Sequence, residues 1–310
     1  MNAITTANET PHVGFCGLGK MGLPMAKRLV ETGYRVALWN RSVEKALRLS
    51  ATAQGTSTIG ETPADVAMRS DILMLCLADH AAVEAVAFGP QGLARGAKRG
   101  VSVVDHSTMA PAQTRTLAQR WHEETGGAWI DAPVSGGTAG ATAGTLAVMA
   151  GGDACSIAAA TAPMYAYAAR VTRMGESGAG QATKLANQIV VVTTIAAIAE
   201  ATRLAQRTGI DTRRMPSALA GGWADSVLLQ TLQPRMVEAP AQPSGTIRTM
   251  LKDLDAVEAF AREHDIALPV ISLVRRWLAR AVEEGLADAD ISQIVTVELA
   301  ARVPSEKFAI

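Results

Sequence analysis

The sequence predicts an α/β domain built on a mostly parallel sheet, followed by an all-α domain. Three observations lead there. Short apolar runs alternate with amphipathic stretches as far as about residue 176. A glycine turn joins the first apolar run to the first amphipathic stretch. After Gly180 the short runs stop and helical spacing takes over. Apolar strands alternating with helices mean a parallel sheet covered on both faces.

Taken in order, residues 1–11 read as a loose tail. "HVGFCGL" (12–18) is a buried strand ending in glycines, and "KMGLPMAKRLVETG" has helical spacing with Gly33 as its stop. "YRVALWN" (34–40) is the next strand, and "SVEKALRLSATA" the next helix, with Ser42 as its N-cap. "DILMLCLA" (71–78) and "VSVVDHS" (101–107) are further strands, with a helix from about Pro111 to Glu124. "AWIDAPVS" (128–135), "TLAVMAGG" (145–152) and "RVTRMG" (170–175) complete the strands. One long helix is expected from about 180 to 208, ended by Gly209, as the link between a domain over 12–176 and a helical domain over 177–310. Five prolines from Pro216 to Pro269 punctuate that second half, where no strand is expected.

Lys and Arg together number 29 and Asp and Glu 29, so the net charge is zero and no basic footprint for nucleic acid or an anionic membrane exists. The longest apolar run, Ile189 to Ala199, is too short to span a bilayer. The start of the chain lacks the basic and apolar segments of a signal peptide, so a cytoplasmic protein is expected. Cys16, Cys76 and Cys155 are far apart, without metal-ligand spacing, and read as small buried hydrophobes. No metal is expected.

Gly17-Leu18-Gly19-Lys20-Met21-Gly22 is GxGxxG between a strand and a helix, the context that makes it a Rossmann-type dinucleotide site. Gly17 allows the tight turn, Gly19 lets the backbone approach a pyrophosphate, and Gly22 allows close helix–strand packing. The helix start then offers N–H groups to the anion. At the tip of the second strand, NAD-binding forms place Asp or Glu. Here Asn40, Arg41 and Ser42 stand instead. A guanidinium pairs with a 2′-phosphate where a carboxylate repels it, so NADP(H) is favoured over NAD(H). The other reading has Arg41 stacked on adenine or in solvent, with dual specificity.

Four ordered motifs carry a resemblance that spans nearly the whole chain. They are "GFCGLGKMGLPMA", "DAPVSGG" (131–137), "GAGQATKLANQ" (178–188) and "LKDLDAV" (251–257). Together they resemble the β-hydroxyacid dehydrogenase family, which includes 3-hydroxyisobutyrate dehydrogenases and 2-hydroxy-3-oxopropionate (tartronate semialdehyde) reductases. "KLANQ" is most similar to the latter. The resemblance implies an NAD(P)-dependent oxidoreductase acting on CH–OH groups, with a small carboxylate-bearing aldehyde or hydroxyacid as substrate. It also implies a homodimer or homotetramer formed through the helical half.

Residue by residue, the resemblance makes Lys184 the proton donor and acceptor. Near the start of an apolar helix, partial desolvation would bring its pKa towards a working value. Asn187 and Gln188 follow at i+3 and i+4 as substrate-orienting amides; relatives often carry Asn where Gln188 stands. Ser135, Gly136 and Gly137 would bind the substrate carboxylate, through exposed N–H groups and a hydroxyl, with Thr138 a weaker candidate. Thr108, with Ser107 second, would contact the cofactor at a strand end, and Leu77 and Ala78 would line it. Lys252 would reach back towards the cofactor, with Asp253 orienting it or capping a helix. Ser244 stands where relatives often have Phe, which would open the pocket. Trp223 and Ser226 are candidates for the distal part of the substrate, although a Trp in a helical domain is ordinarily core. His106 sits at a strand end, where a structural role is the ordinary one.

The favoured activity is an NADPH-preferring reduction of 2-hydroxy-3-oxopropionate. Alternatives are NAD-dependent oxidation of 3-hydroxyisobutyrate or a longer sugar acid such as threonate, and a cofactor-binding protein without catalysis. Imine reductases share the scaffold but lack the lysine, so Lys184 counts against that activity.

Overall fold

The computed structural model describes residues 10–52 and 56–299, and the chain divides into two compact units, one through Lys184 and one from Leu185. Of the tail expected over 1–11, only Thr10 and Pro11 fall among the described residues, as coil before the first strand.

The first unit opens with β1 (Val13–Cys16), α1 (Gly22–Glu31), β2 (Val36–Trp39), α2 (Val43–Thr52) and β3 (Ser57–Ile59). It continues with α3 (Pro63–Met68), β4 (Ile72–Leu75), α4 (His80–Phe88), α5 (Leu93–Gly96), β5 (Ser102–Asp105) and α6 (Pro111–Thr125). Then come β6 (Trp129–Asp131), β7 (Val134–Ser135), α7 (Gly137–Ala143), β8 (Leu146–Gly151), α8 (Ala154–Met164) and β9 (Ala168–Gly175). The strands form one sheet in the order β3-β2-β1-β4-β5-β6-β8-β7, with β9 beside β8. All pairs from β3 to β6 are parallel; β8 runs antiparallel to β6 and β7 and parallel to β9.

Alternation along each strand sends residues to two cores. Val13, Phe15, Val36, Leu38, Ile72 and Met74 pack with α1, α2 and α8 on one face. Cys16, Ala37, Leu73, Leu75, Val103 and Trp129 pack with α3, α4 and α6 on the other. Phe88, Trp121 and Trp129 meet ring to ring in that second core. α1 stops where expected: Gly33 has φ +90° and its N–H bonds to Val30 O.

Three sequence expectations are corrected here. The single strand expected over 128–135 is two, β6 and β7, because the chain leaves its parallel pairing with β5 at Ala132-Pro133 and joins β8 antiparallel. Proline lacks the N–H that a continuous ladder needs. β3 and the helices α3, α4 and α5 had not been read; Thr62 starts α3 with a reciprocal cap to Asp65, and Asp79 caps α4. Cys155 is exposed on α8, whereas Cys16 is buried and Cys76 half-buried.

α9 (Ala179–Arg207) begins in the first unit and continues into the second, where α10 (Met215–Leu219), α11 (Val227–Val237), α12 (Ile247–Glu263) and α13 (Pro269–Glu283) follow. A 3₁₀ turn over Ile291–Thr296 closes the described part. No strand occurs in this half among the described residues, only a bridge between Thr246 and Asp290. Val192, Ile195 and Ala199 of α9 join Leu229, Ile247, Leu254, Trp277 and Leu278 in its core. By length and composition α9 is long and apolar enough to cross a membrane, with mean hydropathy 1.5 in its most apolar window. Its buried face is the spine of this core.

Asp290 ties the second unit together. It is buried, caps the last 3₁₀ turn, and accepts from Arg235 at 2.7 Å and from the N–H and hydroxyl of Ser244. Burial pushes its carboxyl up, but the hydrogen bonds from Arg235, Ser292 and Ser244 outweigh that and hold it at about 2. Ser244 is therefore part of this anchor.

Candidate active site

Parallel strands of the first unit end together. Cys16 registers with Leu75, Leu75 with Asp105, and Asp105 with Asp131. The loops beyond these four residues form the carboxyl edge, and the crevice at the switch between β1 and β4 is where open α/β sheets take ligands.

The glycine turn leaves β1 at this edge. Gly17 has φ +104°, and a Cβ there would meet Cys76 O at 2.3 Å. A Cβ on Gly22 would lie 1.9 Å from Gly17 O, so the turn closes only with hydrogen at both places. Gly19 has nothing within 4 Å of the corresponding point, so its backbone faces open space. Leu23 N bonds to Gly19 O and Met25 N to Met21 O, and Pro24 has no N–H, so the backbone open to an anion is that of the turn itself, Gly19 to Gly22. This is a cradle that fits a pyrophosphate.

Asn40, at the tip of β2, holds the turn in place. Its Oδ1 accepts from Leu18 N at 2.8 Å and its Nδ2 donates to Ser42 O at 2.9 Å. Arg41 and Ser42 are exposed beside it, and Arg41 makes no hydrogen bond or ion pair among the described residues. Lys20 is exposed and Met21 half-buried at the start of α1.

At the end of β4, Leu77 is half-buried against Gly17, and its N–H donates to Ser107 Oγ at 2.9 Å; Ala78 is exposed next to it. Gln181 clamps the loop after β5 on both sides of Thr108. Its Nε2 donates to Ser107 O at 2.7 Å and its Oε1 accepts from Met109 N at 3.2 Å. Thr108 is half-exposed, and its own hydroxyl makes no hydrogen bond among the described residues.

Beyond β6, Gly136 (φ +127°) and Gly137 (φ +62°) turn the chain into α7, exposed and with open space around Gly137. Ser135 and Thr138 are half-buried beside them. Lys184 Nζ donates to Val134 O at 2.9 Å, which places the ammonium at the residue preceding Ser135.

Two buried carboxylates underlie this edge. Asp131 Oδ1 accepts from Gly178 N at 2.8 Å and Oδ2 from Gln181 N at 2.9 Å, so it caps α9 from across the fold. Asp105 Oδ1 accepts from Ser107 N at 2.9 Å, while its Oδ2 is buried without a partner among the described residues. Burial pushes Asp105 up to about 7, and the charge of Asp131 adds to it despite the Ser107 bonds. Burial raises Asp131 too, opposed by the N–H groups of Gly178 and Gln181. His106 is structural: its Nδ1 donates to Ala132 O at 2.6 Å, its Nε2 accepts from Tyr167 Oη, and burial lowers its pKa to about 4.

The remaining expected residues lie in the second unit. Asn187 Nδ2 donates to Gln188 Oε1, and the buried Gln188 donates on to Asp253 Oδ2 at 2.6 Å, a chain that joins α9 to α12. Asp253 is thus an acceptor in the middle of α12 rather than a cap; Thr246 caps that helix. Lys252 is exposed beside it. Trp223 is not core: it is fully exposed, in the turn after Gly222, and Ser226 caps α11.

Sequence reasoning passed over Asp131, Gln181 and Asp105 as holders of the site. Their bonds join residues up to 74 positions apart, so no local spacing announces them. The available signal was a carboxylate ending each of two apolar runs, since a buried carboxylate must find donors. Among the described residues no group of three or more His, Cys, Asp or Glu is placed to hold a metal ion.

Residues 12–175 match the family model for the NAD binding domain of 6-phosphogluconate dehydrogenase. Residues 178–297 match the model for the NAD-binding region of NADP-dependent 3-hydroxyisobutyrate dehydrogenase. The chain is 34% identical to the 2-hydroxy-3-oxopropionate reductase of Escherichia coli over 286 residues, 91% of this chain and 95% of that one. It also resembles the crystal structure of a 3-hydroxyisobutyrate dehydrogenase from Salmonella typhimurium, with TM-score 0.84, 27% identity, and 92% and 99% of the two chains covered. The solved structure of Psf3 in complex with NADP+ and 2-OPP matches with TM-score 0.82 and 26% identity, over 92% of this chain and 99% of that one.

Asp105 supplies a test of this buried edge. Its pKa is raised from 3.8 to about 7, so folding binds its proton; the stability it contributes is full below the unfolded value and lost as pH rises through the folded one. Asp105→Asn removes the titration. The melting temperature of D105N should therefore fall less than that of the wild type between about pH 4 and pH 8. Parallel profiles would show that Asp105 does not titrate in this window.

Proposed function

The chain belongs to the β-hydroxyacid dehydrogenase family and is an NAD(P)-dependent oxidoreductase acting on CH–OH groups; on that premise we propose that it is an NADPH-preferring reductase of 2-hydroxy-3-oxopropionate. The observation that carries the reading is the 2.9 Å bond from Lys184 to Val134 O, which brings a proton donor to the head of Ser135-Gly136-Gly137.

The glycine turn would hold the pyrophosphate, Arg41 and Ser42 would meet the 2′-phosphate, and Leu77, Ala78 and Thr108 would meet the rest of the cofactor. The bound nicotinamide supplies hydride exchange at its C4. Ser135 and the N–H groups after Gly136 hold the substrate carboxylate. In reduction, Lys184 donates its proton to the carbonyl oxygen as the hydride reaches the carbon. In oxidation, the neutral amine takes the hydroxyl proton as the hydride leaves. Asn187, one turn further along α9, orients the substrate oxygens. NAD-dependent oxidation of 3-hydroxyisobutyrate is the second reading, supported by the likeness to 3-hydroxyisobutyrate dehydrogenase structures.

We also assign a homodimer or homotetramer. Val190, Ala197 and Leu204 are exposed at seven-residue intervals along α9, a stripe that a second copy would cover. Light scattering should give two or four times the chain mass; a monomer at micromolar concentration would end that assignment.

The deciding experiment is NADPH and NADH oxidation with 2-hydroxy-3-oxopropionate, methylmalonate semialdehyde, succinate semialdehyde and glyoxylate. NADPH with 2-hydroxy-3-oxopropionate should give the highest kcat/KM, and preference for another aldehyde would move the substrate. Lys184→Ala should lower kcat by roughly 100- to 10,000-fold with the cofactor still bound. Wild-type turnover would take Lys184 out of proton transfer. Arg41→Ala should weaken NADPH by about 10-fold or more and NADH little, since a charge-assisted bond contributes about 1.5–3 kcal/mol. Equal losses would remove the 2′-phosphate role.

A further inference from the structure

Gly178, the residue before α9, and positions 181 and 184 of α9 meet the segment 131–134. The N–H groups of Gly178 and Gln181 bond to the two oxygens of Asp131, and Lys184 Nζ bonds to Val134 O. The spacing of three keeps 181 and 184 on one side of α9. The same Gln181 carries, on its side chain, the clamp around Thr108. One carboxylate thus fixes the origin from which the proton donor is placed.

The carboxylate is closely packed by two glycines. A Cβ on Gly151 would lie 2.6 Å from Asp131 Oδ1, and one on Gly180 would lie 2.9 Å from Oδ2 and 2.5 Å from the Asp131 carbonyl. Both glycines leave only enough room for the carboxylate. Its charge is matched by the partial positive charge of the α9 N-terminus. Asp105, the neighbouring carboxyl in the β5–β6 register, has one N–H partner and one bare oxygen, so the anion of the pair resides on Asp131.

We propose that Asp131 is a positioning residue for the hydride-transfer reaction: it acts through the start of α9, aiming Lys184 at the substrate oxygen. The proposal rests on the reading of Lys184 as the proton donor.

Asp131→Asn is the test. It preserves shape but sets an amide NH₂ against one of the two helix N–H groups. The assay is NADPH oxidation with 2-hydroxy-3-oxopropionate, or with the fastest of the other screened aldehydes. D131N should remain folded and bind NADPH within about threefold of wild type by fluorescence, while kcat falls at least about 10-fold, as misplacement near 1 Å commonly does. The double variant with Lys184→Ala should lose little beyond K184A alone, because both changes act on one group. Multiplying losses would overturn the proposal while leaving Lys184 in its role; an active K184A would fail the Lys184 reading itself. A kcat within twofold of wild type in D131N, or a loss of NADPH binding matching the loss of kcat, would also overturn it. Should D131N not fold, Asp131→Ser, which still accepts one N–H, is read by the same criteria. Failure of both to fold would assign Asp131 to the scaffold alone.

Discussion

The parallel register of β1, β4, β5 and β6 is the constraint on which the first unit depends. Because Cys16, Leu75, Asp105 and Asp131 end their strands side by side, the ladder runs one N–H further in each, at Gly17, Cys76, His106 and Ala132, and then stops on neighbouring strands together. Buried N–H groups require acceptors, and the chain supplies them from side chains. Asn40 takes Leu18 N, Ser107 takes Leu77 N, Asp105 takes Ser107 N, and Asp131 takes the start of α9. The polar residues buried at this edge are the means by which loops are held rigid where a reaction needs them rigid.

The architecture was legible wherever a pattern repeats over several residues. β1, β4 and β5 are unbroken apolar runs, and α9 has eight turns of helical spacing, so their identity survives any local ambiguity. β3 escaped because Ser57-Thr58-Ile59 is short and only half-buried. The bend at Ala132-Pro133 is marked in the sequence by Pro133 alone, and the strand residues on either side of it run on without a turn signal. In the candidate site, the turn, Lys184 and the Ser135-Gly136-Gly137 segment could be nominated from the sequence because each lies in a contiguous motif. The groups that hold them could not, since Gln181 meets Ser107 only once the sheet has formed. Trp223 went against composition: the most apolar ring in its segment points entirely to solvent.

The second unit follows a different economy. Its core is assembled from helix faces, and its fixed point is a charge, Asp290, surrounded by Arg235, Ser244 and Ser292. Gln188 plays the corresponding part on α9, spending its amide on Asp253. α9 thus carries Lys184 between two anchored regions of its own length, one at Asp131 and one at Gln188. A lysine on a helix fixed before and after it has little freedom beyond its own rotamers, which is the preorganisation that the proposed proton transfer demands.

Asn40 has a consequence for how such a chain can change its coenzyme. Its oxygen holds Leu18 and its nitrogen holds Ser42, so recognition at the strand tip and the shape of the glycine turn share one side chain. A carboxylate in its place would keep the first bond and face the Ser42 carbonyl with a second acceptor, one repelling the other. That acceptor is the main-chain carbonyl of Ser42, so no change of side chain at position 42 removes the repulsion. A lineage moving between coenzymes by single substitutions has an open path at Arg41, whose side chain makes no hydrogen bond or ion pair among the described residues, and a hindered one at its neighbour Asn40.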